Sequence, residues 1–266
     1  MSKKLPWANK DLGQHFLKDQ KVITGITDDF KDSAKNIIEI GPGPGILTEH
    51  LANHQLPFHV IEKDKRMIEY LGDIVKDGNI NFIDALKINY SEFIKERGIE
   101  EDLWLVSNLP YNVSTPLLIM FLQTPEIKYM TLMFQKEVAD KVFPFSSKKN
   151  TMGSLTTLSQ TYFETQLLCQ VPPGAFIPPP KVDSAVITFK RIADPIIPLS
   201  EFSKFEKFLR ALFQFKRKQI AKGLTSYANR DELEILLKEI DQPITVRAEA
   251  LQLSDIQKLY ILLRDK

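Results

Sequence analysis

A run of apolar residues that ends in closely spaced glycines and then turns helical leaves a chain few choices, and residues 36–51 have that form. Asn36-Ile37-Ile38-Glu39-Ile40 reads as a buried strand, Gly41-Pro42-Gly43-Pro44-Gly45 as a tight loop, and Ile46-Leu47-Thr48-Glu49-His50-Leu51 as a helix. Glycine accepts the backbone of such a loop, and without a Cβ Gly41 and Gly43 let the main chain approach a ligand closely. The spacing is Gly-x-Gly-x-Gly, not Gly-x-Gly-x-x-Gly. Glu39 ahead of it makes the more specific Glu-x-Gly-x-Gly-x-Gly.

Two further strands each end on an acid. Phe58-His59-Val60-Ile61 reads as a second strand ending on Glu62, and Ile80-Asn81-Phe82-Ile83 as a third ending on Asp84. Strands that alternate with helices predict a parallel sheet, and ligands of such sheets bind at the carboxyl ends of the strands. A carboxylate at the position of Glu62 can take both hydroxyls of a ribose. Asp84 can accept from an adenine amino group, with small Ala85 leaving room for the ring. Each acid is also what an ordinary helix cap requires. Two of them in successive strand-end positions behind a glycine loop favour a ligand.

The fourth strand, Leu103-Trp104-Leu105-Val106, runs into Ser107-Asn108-Leu109-Pro110-Tyr111-Asn112, and Ser114-Thr115-Pro116 then starts a helix. The Asn108 side-chain carbonyl and a backbone carbonyl of Leu109 or Pro110 can accept from one amino group, while Tyr111 offers a flat face. That is a holder for a planar base with an exocyclic amine. Two acceptors that draw the amine hydrogens outward favour its pyramidal form, which acts on the barrier more than on binding. A proline turn with an Asn cap would have the same residues.

A fifth strand is expected at 129–134, followed by a helix over 135–142, and a helix at about 19–30 precedes the first strand with Val22, Ile23 and Ile26 on one face. The runs 164–169 and 184–189 have no long helix between them, which predicts an antiparallel pair at one edge of the sheet. Their connection is proline-rich, and prolines on both sides of Phe176 would hold its ring in a fixed place, either over a base or as a plug for the loop. Residues 192–198 read as a linker. Beyond it only helical spacing remains: Phe202, Phe205, Phe208, Leu209, Leu212 and Phe213; then 230–240; a short turn at 247–251; and 254–263. The expected fold class is therefore α/β, with a Rossmann-like domain at 1–194 and a small all-helical domain at 195–266.

Composition sets bounds on function. Of 266 residues 43% are hydrophobic and 26% charged, enough for a full core, and a net charge of +1 makes any basic surface local. Phe215-Lys216-Arg217-Lys218, with Lys222 and Arg210 nearby, is such a patch, and Lys3, Lys4, Lys10, Lys18 and Lys21 extend the basic character to the amino-terminal arm. Aromatics interleaved with the cations suit phosphate binding. The single cysteine, Cys169, forms no internal disulfide, and His50 and His54 lack the further ligands of a metal site, so no metal is expected. No window nears roughly 18 apolar residues and the first residues lack a signal peptide's apolar region, so a cytoplasmic protein without membrane spans is expected. A monomer is expected, since no exposed heptad is evident. Neither a phosphate-binding Gly-x-x-x-x-Gly-Lys-Ser/Thr nor a Gly-x-Ser-x-Gly nucleophile occurs, so the chemistry must come from a bound cofactor.

A glycine loop after strand one, an acid after strand two, Asp84 after strand three and Asn-Leu-Pro-Tyr after strand four occur in the order of an S-adenosylmethionine-dependent amino-methyltransferase. Three stretches narrow the resemblance: Gly13-Gln14-His15-Phe16-Leu17, Asn108-Leu109-Pro110-Tyr111-Asn112-Val113-Ser114-Thr115-Pro116, and Phe176-Ile177-Pro178-Pro179-Pro180-Lys181-Val182-Asp183-Ser184-Ala185-Val186. Together the chain resembles the KsgA family of small-subunit ribosomal RNA adenine dimethyltransferases over nearly its whole length. The resemblance implies N6-dimethylation of adjacent adenines in 16S ribosomal RNA, with S-adenosylmethionine as methyl donor. On it, His15 and Leu17 close over the cofactor, Gly41 and Gly43 admit it, Glu62 holds its ribose, and Asp84 with Ala85 its adenine. Asn108, bordering the cofactor, holds the target amine with Leu109 or Pro110, and Tyr111 and Phe176 flank the base. Arg210, Lys216, Arg217, Lys218 and Lys222 meet ribosomal RNA of the small subunit or its precursor. Two alternatives stay open: a resistance-type methyltransferase of large-subunit RNA, and a ribosome-assembly factor that acts mainly by binding.

Overall fold

The computed structural model describes residues 5–8, 13–76, 78–99, 101–146, 152–215 and 219–264. Two compact units emerge, one of Met1–Ala139 with Thr165–Arg191 and one of Asp140–Glu164 with Ile192–Lys266. The sequence divides the chain once, at 194/195. In the structure the segment 140–164 also belongs with the carboxyl-terminal helices.

The first unit begins with strand β1 (Phe16–Leu17) and helix α1 (Gln20–Asp28). Asp19 caps that helix by accepting from the Lys21 and Val22 amides at 3.0 and 3.2 Å, and Val22, Ile23 and Ile26 turn into the core. Ile26 is fully buried, which at the usual transfer free energy stabilises by about 1.5–3 kcal/mol. Then follow β2 (Asn36–Ile40), α2 (Ile46–Ala52), β3 (Phe58–Glu62), α3 (Ile68–Leu71), β4 (Ile80–Phe82), α4 (Tyr90–Glu96), β5 (Leu103–Asn108), α5 (Ser114–Gln123), β6 (Ile127–Gln135) and α6 (Lys136–Val142). After α7 (Ser154–Tyr162) come β7 (Phe163–Val171), β8 (Phe176–Ile177) and β9 (Ser184–Arg191).

Seven strands form one sheet in the order β4-β3-β2-β5-β6-β9-β7. The neighbours from β4 to β6 run parallel, and β9 runs antiparallel to β6. As expected from sequence, the runs at 164–169 and 184–189 lie side by side at one edge. Successive strands step outward from β2 to β4, whereas β5 lies on the other side of β2, with Glu39 opposite Val106. This reversal opens a crevice at the carboxyl ends of β2 and β5, and it brings the loops after residues 40 and 108 together. Buried Ser107 ties the two strand ends by donating from Oγ to the Ile40 carbonyl at 2.7 Å.

Several features were not foreseen, α3 among them. β1 and β8 pair antiparallel, Leu17 opposite Phe176, but two residues are too few to carry a period. α4 is a seven-residue helix, and α7 is rich in Ser and Thr, which mask its buried face.

The second unit contains α7 with α8 (Phe202–Leu212), α9 (Arg230–Glu239) and α10 (Leu253–Leu263). The apolar face predicted for α8 is buried. Its Phe205 meets Tyr260 at 4.9 Å between ring centroids, and Phe202 meets Tyr162 at 5.2 Å. Polar contacts add direction: Gln257 donates to Thr161 Oγ1 at 3.1 Å, and Tyr260 to Glu201 at 3.0 Å. No helix among the described residues is long and apolar enough to cross a membrane.

Candidate functional site

A cavity of about 190 Å³ lies in the first unit at the carboxyl ends of β2, β3, β4 and β5. Its wall includes His15, Leu17, Gly41, Gly43, Glu62, Asp84 and Ala85, together with Asn108, Leu109, Pro110 and Tyr111. The fold thus gathers every predicted cofactor and turn residue except Phe176. The glycine loop has the backbone that its sequence requires, with φ of +67° at Gly41 and +55° at Gly43. A Cβ on Gly43 would stand 3.6 Å from the Phe16 ring, an ordinary contact, so it is the positive φ and not space that favours glycine here.

Glu62, the last residue of β3, is buried. Its Oε2 accepts from the Gly43 amide at 3.0 Å and its Oε1 from the Asp64 amide at 2.7 Å. Burial raises its carboxyl above the ordinary range, and these two amide bonds act against that rise. Glu62 therefore fixes the glycine loop while keeping acceptor capacity toward the cavity.

Asp84 does two jobs. Oδ1 caps the turn at Ala85–Lys87 by accepting from the Leu86 amide at 3.1 Å, and Oδ2 accepts from Lys63 Nζ at 2.9 Å. That lysine bond, first among its causes, holds the Asp84 carboxyl below its ordinary range, so it is an ionised acceptor. Exposed Ile83 and Leu86 give the cavity apolar sides beside it. Lys63 carried no sign of this role in sequence, since a lysine after a strand is usually a solvated charge.

Glu39 was read only as part of the glycine motif. In the structure it lines the cavity, is 2% exposed, and accepts from Thr48 Oγ1 at 2.7 Å. Burial, opposed by the Thr48 bond and reinforced by nearby Glu62, pushes its carboxyl up to about 8. Glu39 is thus a neutral acid at pH 7, whereas Asp84 is charged.

Asn108 ends β5, and its Nδ2 donates to the His15 carbonyl at 3.1 Å, which leaves Oδ1 as the acceptor. The Pro110 carbonyl accepts from the Val113 amide at 3.1 Å inside the turn, so it has one lone pair left to offer a ligand. Tyr111 hydrogen-bonds through its hydroxyl to Ser184 Oγ at 2.8 Å, and burial raises that hydroxyl above its ordinary range. Asn108, Leu109, Pro110 and Tyr111 thus line one stretch of the cavity wall.

Phe176 stands apart from the cavity. Its ring is 1% exposed and belongs to the core that contains Leu17, Val22, Ile23 and Val171, and it is not part of the cavity wall. Pairing with β1 goes with its inward direction, as a plug for the loop.

The histidines once considered for metal go elsewhere. His54 Nε2 meets the Thr27 carbonyl and His50 the Gln20 amide. No group of three His, Cys, Asp or Glu suited to a metal occurs among the described residues.

In the second unit Arg210 is exposed but ion-paired with Glu206, with Nε donating at 3.0 Å. Lys222 lies over the Phe215 ring at 5.2 Å, and it shares with Arg230 and Arg247 a cavity of about 680 Å³ whose wall has no acid among the described residues. Arg230 and Arg247 were not singled out from sequence, because residue 219 pairs with 247 only through a bridge between distant segments. Lys216, Arg217 and Lys218, like Lys3, Lys4 and Lys10, lie outside the described residues.

Comparison with known proteins agrees with this geometry. A family model described as ribosomal RNA adenine dimethylase matches residues 7–264. The ribosomal RNA small subunit methyltransferase A of Listeria monocytogenes serotype 4b is 38% identical over 268 residues, covering 96% of this chain and 90% of its own. Its counterpart in Clostridium botulinum is 35% identical over 258 residues, covering 94% and 92%. Among solved structures, a dimethyladenosine transferase from Plasmodium falciparum aligns with a TM-score of 0.75 at 23% identity, covering 94% of this chain and 98% of that one. The 23S rRNA methyltransferase ErmE aligns at 0.68 and 23%, covering 94% and 99%. At such identities the two structures speak for a shared Rossmann-like fold.

Proposed function

The chain belongs to the ribosomal RNA adenine dimethylase family, and from that premise we propose that it dimethylates the N6 amines of adjacent adenines in small-subunit (16S) ribosomal RNA. Membership of this class I methyltransferase family implies S-adenosylmethionine as the methyl donor. The observation that carries the reading is the meeting of the Asn108 and Leu109 acceptors with the cavity that Glu62 and Asp84 line.

The cavity fits the cofactor chemically. Two carboxylates at the ends of neighbouring strands suit ribose hydroxyls and an adenine amine, and Ile83, Leu86 and Ala85 suit the faces of a flat ring. On this reading Glu62 holds the ribose, Asp84 and Ala85 the adenine, and Gly41 and Gly43 the close approach of backbone, with His15, Leu17 and Asn108 closing the arm side. When bound, the cofactor supplies a methyl group already activated by a sulfonium leaving group.

The protein's part is placement. Asn108 Oδ1 and the Leu109 carbonyl take the two hydrogens of the target amine and turn its lone pair toward the cavity, and Tyr111 stacks on the base once it has left its own helix. A monomethylated amine keeps one N–H, so one of the two acceptors suffices to hold it for a second transfer.

The unit of residues 1–139 and 165–191 carries this chemistry and the helices of 195–266 meet RNA, with Lys222 and Arg210 among the contacts and Lys216, Arg217 and Lys218 beside them in sequence. The clustering of Lys222, Arg230 and Arg247 around one cavity supports that assignment, because cations gathered on one face suit a phosphate backbone. The protein acts as a cytoplasmic monomer in this account. The test is the partition of labelled methyl among isolated small subunits, large subunits and naked ribosomal RNA. Label on small subunits is expected. Label on large subunits alone refutes the substrate, and no transfer to any RNA refutes the activity.

A further inference from the structure

With Phe176 in the core, the aromatic neighbour of Tyr111 has to be sought elsewhere, and the structure supplies one. The His15 imidazole stacks on the Tyr111 ring, with centroids 5.5 Å apart and planes at 26°. His15 Nδ1 lies 2.8 Å from the Pro178 carbonyl. A carbonyl only accepts, so the proton sits on Nδ1 and the ring is tethered to the proline-rich loop.

The other contacts of the arm converge on the same place. The Asn108 amide donates to the His15 carbonyl at 3.1 Å, and Gln14 donates to Asp64 at 3.1 Å. Phe16 and Leu17 pair with Ile177 and Phe176, and the Lys18 amide donates to the Ala175 carbonyl at 2.8 Å. Tyr111 is thereby held twice: Ser184 fixes its hydroxyl and His15 covers one face. Only the opposite face is left for a base. A ring fixed in plane and position limits the orientations an incoming adenine can take, which is the requirement for in-line transfer.

We infer that His15 is a positioning residue for the target adenine, its ring setting the plane of Tyr111 and its Nδ1–H bond to Pro178 tethering that stack. This rests on the reading of the turn at 108–111 as the adenine subsite, and it gives the His15 side chain a role distinct from holding the cofactor. Two substitutions separate the parts. His15→Asn removes the ring and keeps a donor; His15→Phe keeps a ring and removes the donor.

The experiment combines kcat on small subunits, the cofactor Kd by calorimetry, and quenching of a single 2-aminopurine within an oligouridine. The last reads stacking without any methyl transfer. His15→Asn should lower kcat roughly tenfold or more and abolish most of the quenching, a loss clearly larger than the change in the cofactor Kd that its place in the cavity wall entails. His15→Phe should keep the quenching and lose only about threefold in kcat. Equal thermal melting of all three proteins shows that the fold is intact. The assignment is overturned if His15→Asn quenches and turns over like the parent, or if both variants lose cofactor affinity in step with kcat. A parent that quenches in this pattern yet methylates no RNA would sink the proposed activity and leave the role of His15 standing.

Discussion

Replacing Glu39 with glutamine removes a carboxyl that the fold keeps protonated, and the consequence for stability follows from its burial. The folded value is about 8 against an ordinary value of 4.5. Below pH 4.5 both folded and unfolded chains hold the proton and nothing is lost. Between 4.5 and 8 the unfolded chain releases it while the folded chain does not, so the unfolding free energy falls by about 1.4 kcal/mol for each pH unit. At pH 7 the accumulated penalty is on the order of 3 kcal/mol, and it levels off above pH 8. Glutamine is neutral throughout and its carbonyl can still accept from Thr48. Urea unfolding at pH 5 and pH 8 without cofactor, followed by fluorescence of buried Trp104 in the same unit, measures the difference. The variant should gain about 3 kcal/mol over the parent between those two values. Asp29, whose carboxyl burial pushes up to about 6, titrates in both proteins and cancels. Curves that stay parallel from pH 5 to 8 would show that Glu39 is ionised in the folded protein and would refute the reasoning.

Further outcomes are expected of other residues. Arg191 donates to the Thr124 and Ile127 carbonyls at 2.6 Å and reaches those of Phe121 and Leu122 at 3.4 Å, so Arg191→Ala strands acceptors at the end of α5 and should destabilise by about 2–4 kcal/mol in urea unfolding. Asn108→Ala removes an acceptor that acts on the barrier; kcat for methyl transfer should fall about 100-fold while the cofactor Kd moves only a few-fold, and equal losses in both would remove Asn108 from the amine. Changing Lys222, Arg230 and Arg247 to glutamine should raise the KM for RNA and flatten the slope of its salt dependence by about one for each phosphate left without a cation, with kcat at saturation unchanged. An unchanged salt slope would take that cavity out of RNA binding.

The site was legible where chemistry coincides with strand ends. Glu62, Asp84 and Asn108 each terminate or follow an apolar run, and parallel pairing carries all three to one edge of the sheet. The glycine loop was legible because glycine accepts φ of +67° and +55°, as at Gly41 and Gly43, far more readily than other residues. What stayed hidden depends on pairing between distant segments. The prolines around Phe176 indicate a fixed ring without saying which way it faces, and that is decided by its pairing with Leu17, about 160 residues earlier. Lys63 looks like a surface charge until it meets Asp84, and the neutrality of Glu39 follows from burial beneath a loop, which composition does not report. Residues 140–164 escaped assignment to the helical unit because the Ser and Thr of α7 conceal its buried face.

The most direct test of the central claim is the chemical identity of the product. Small subunits lacking the modification would be incubated with the protein and S-adenosylmethionine, and their RNA digested to nucleosides for mass spectrometry. The account predicts N6,N6-dimethyladenosine, with N6-methyladenosine as its precursor at early times. Methyl groups on another base, or on a ring nitrogen or ribose instead of the N6 amine, would contradict it.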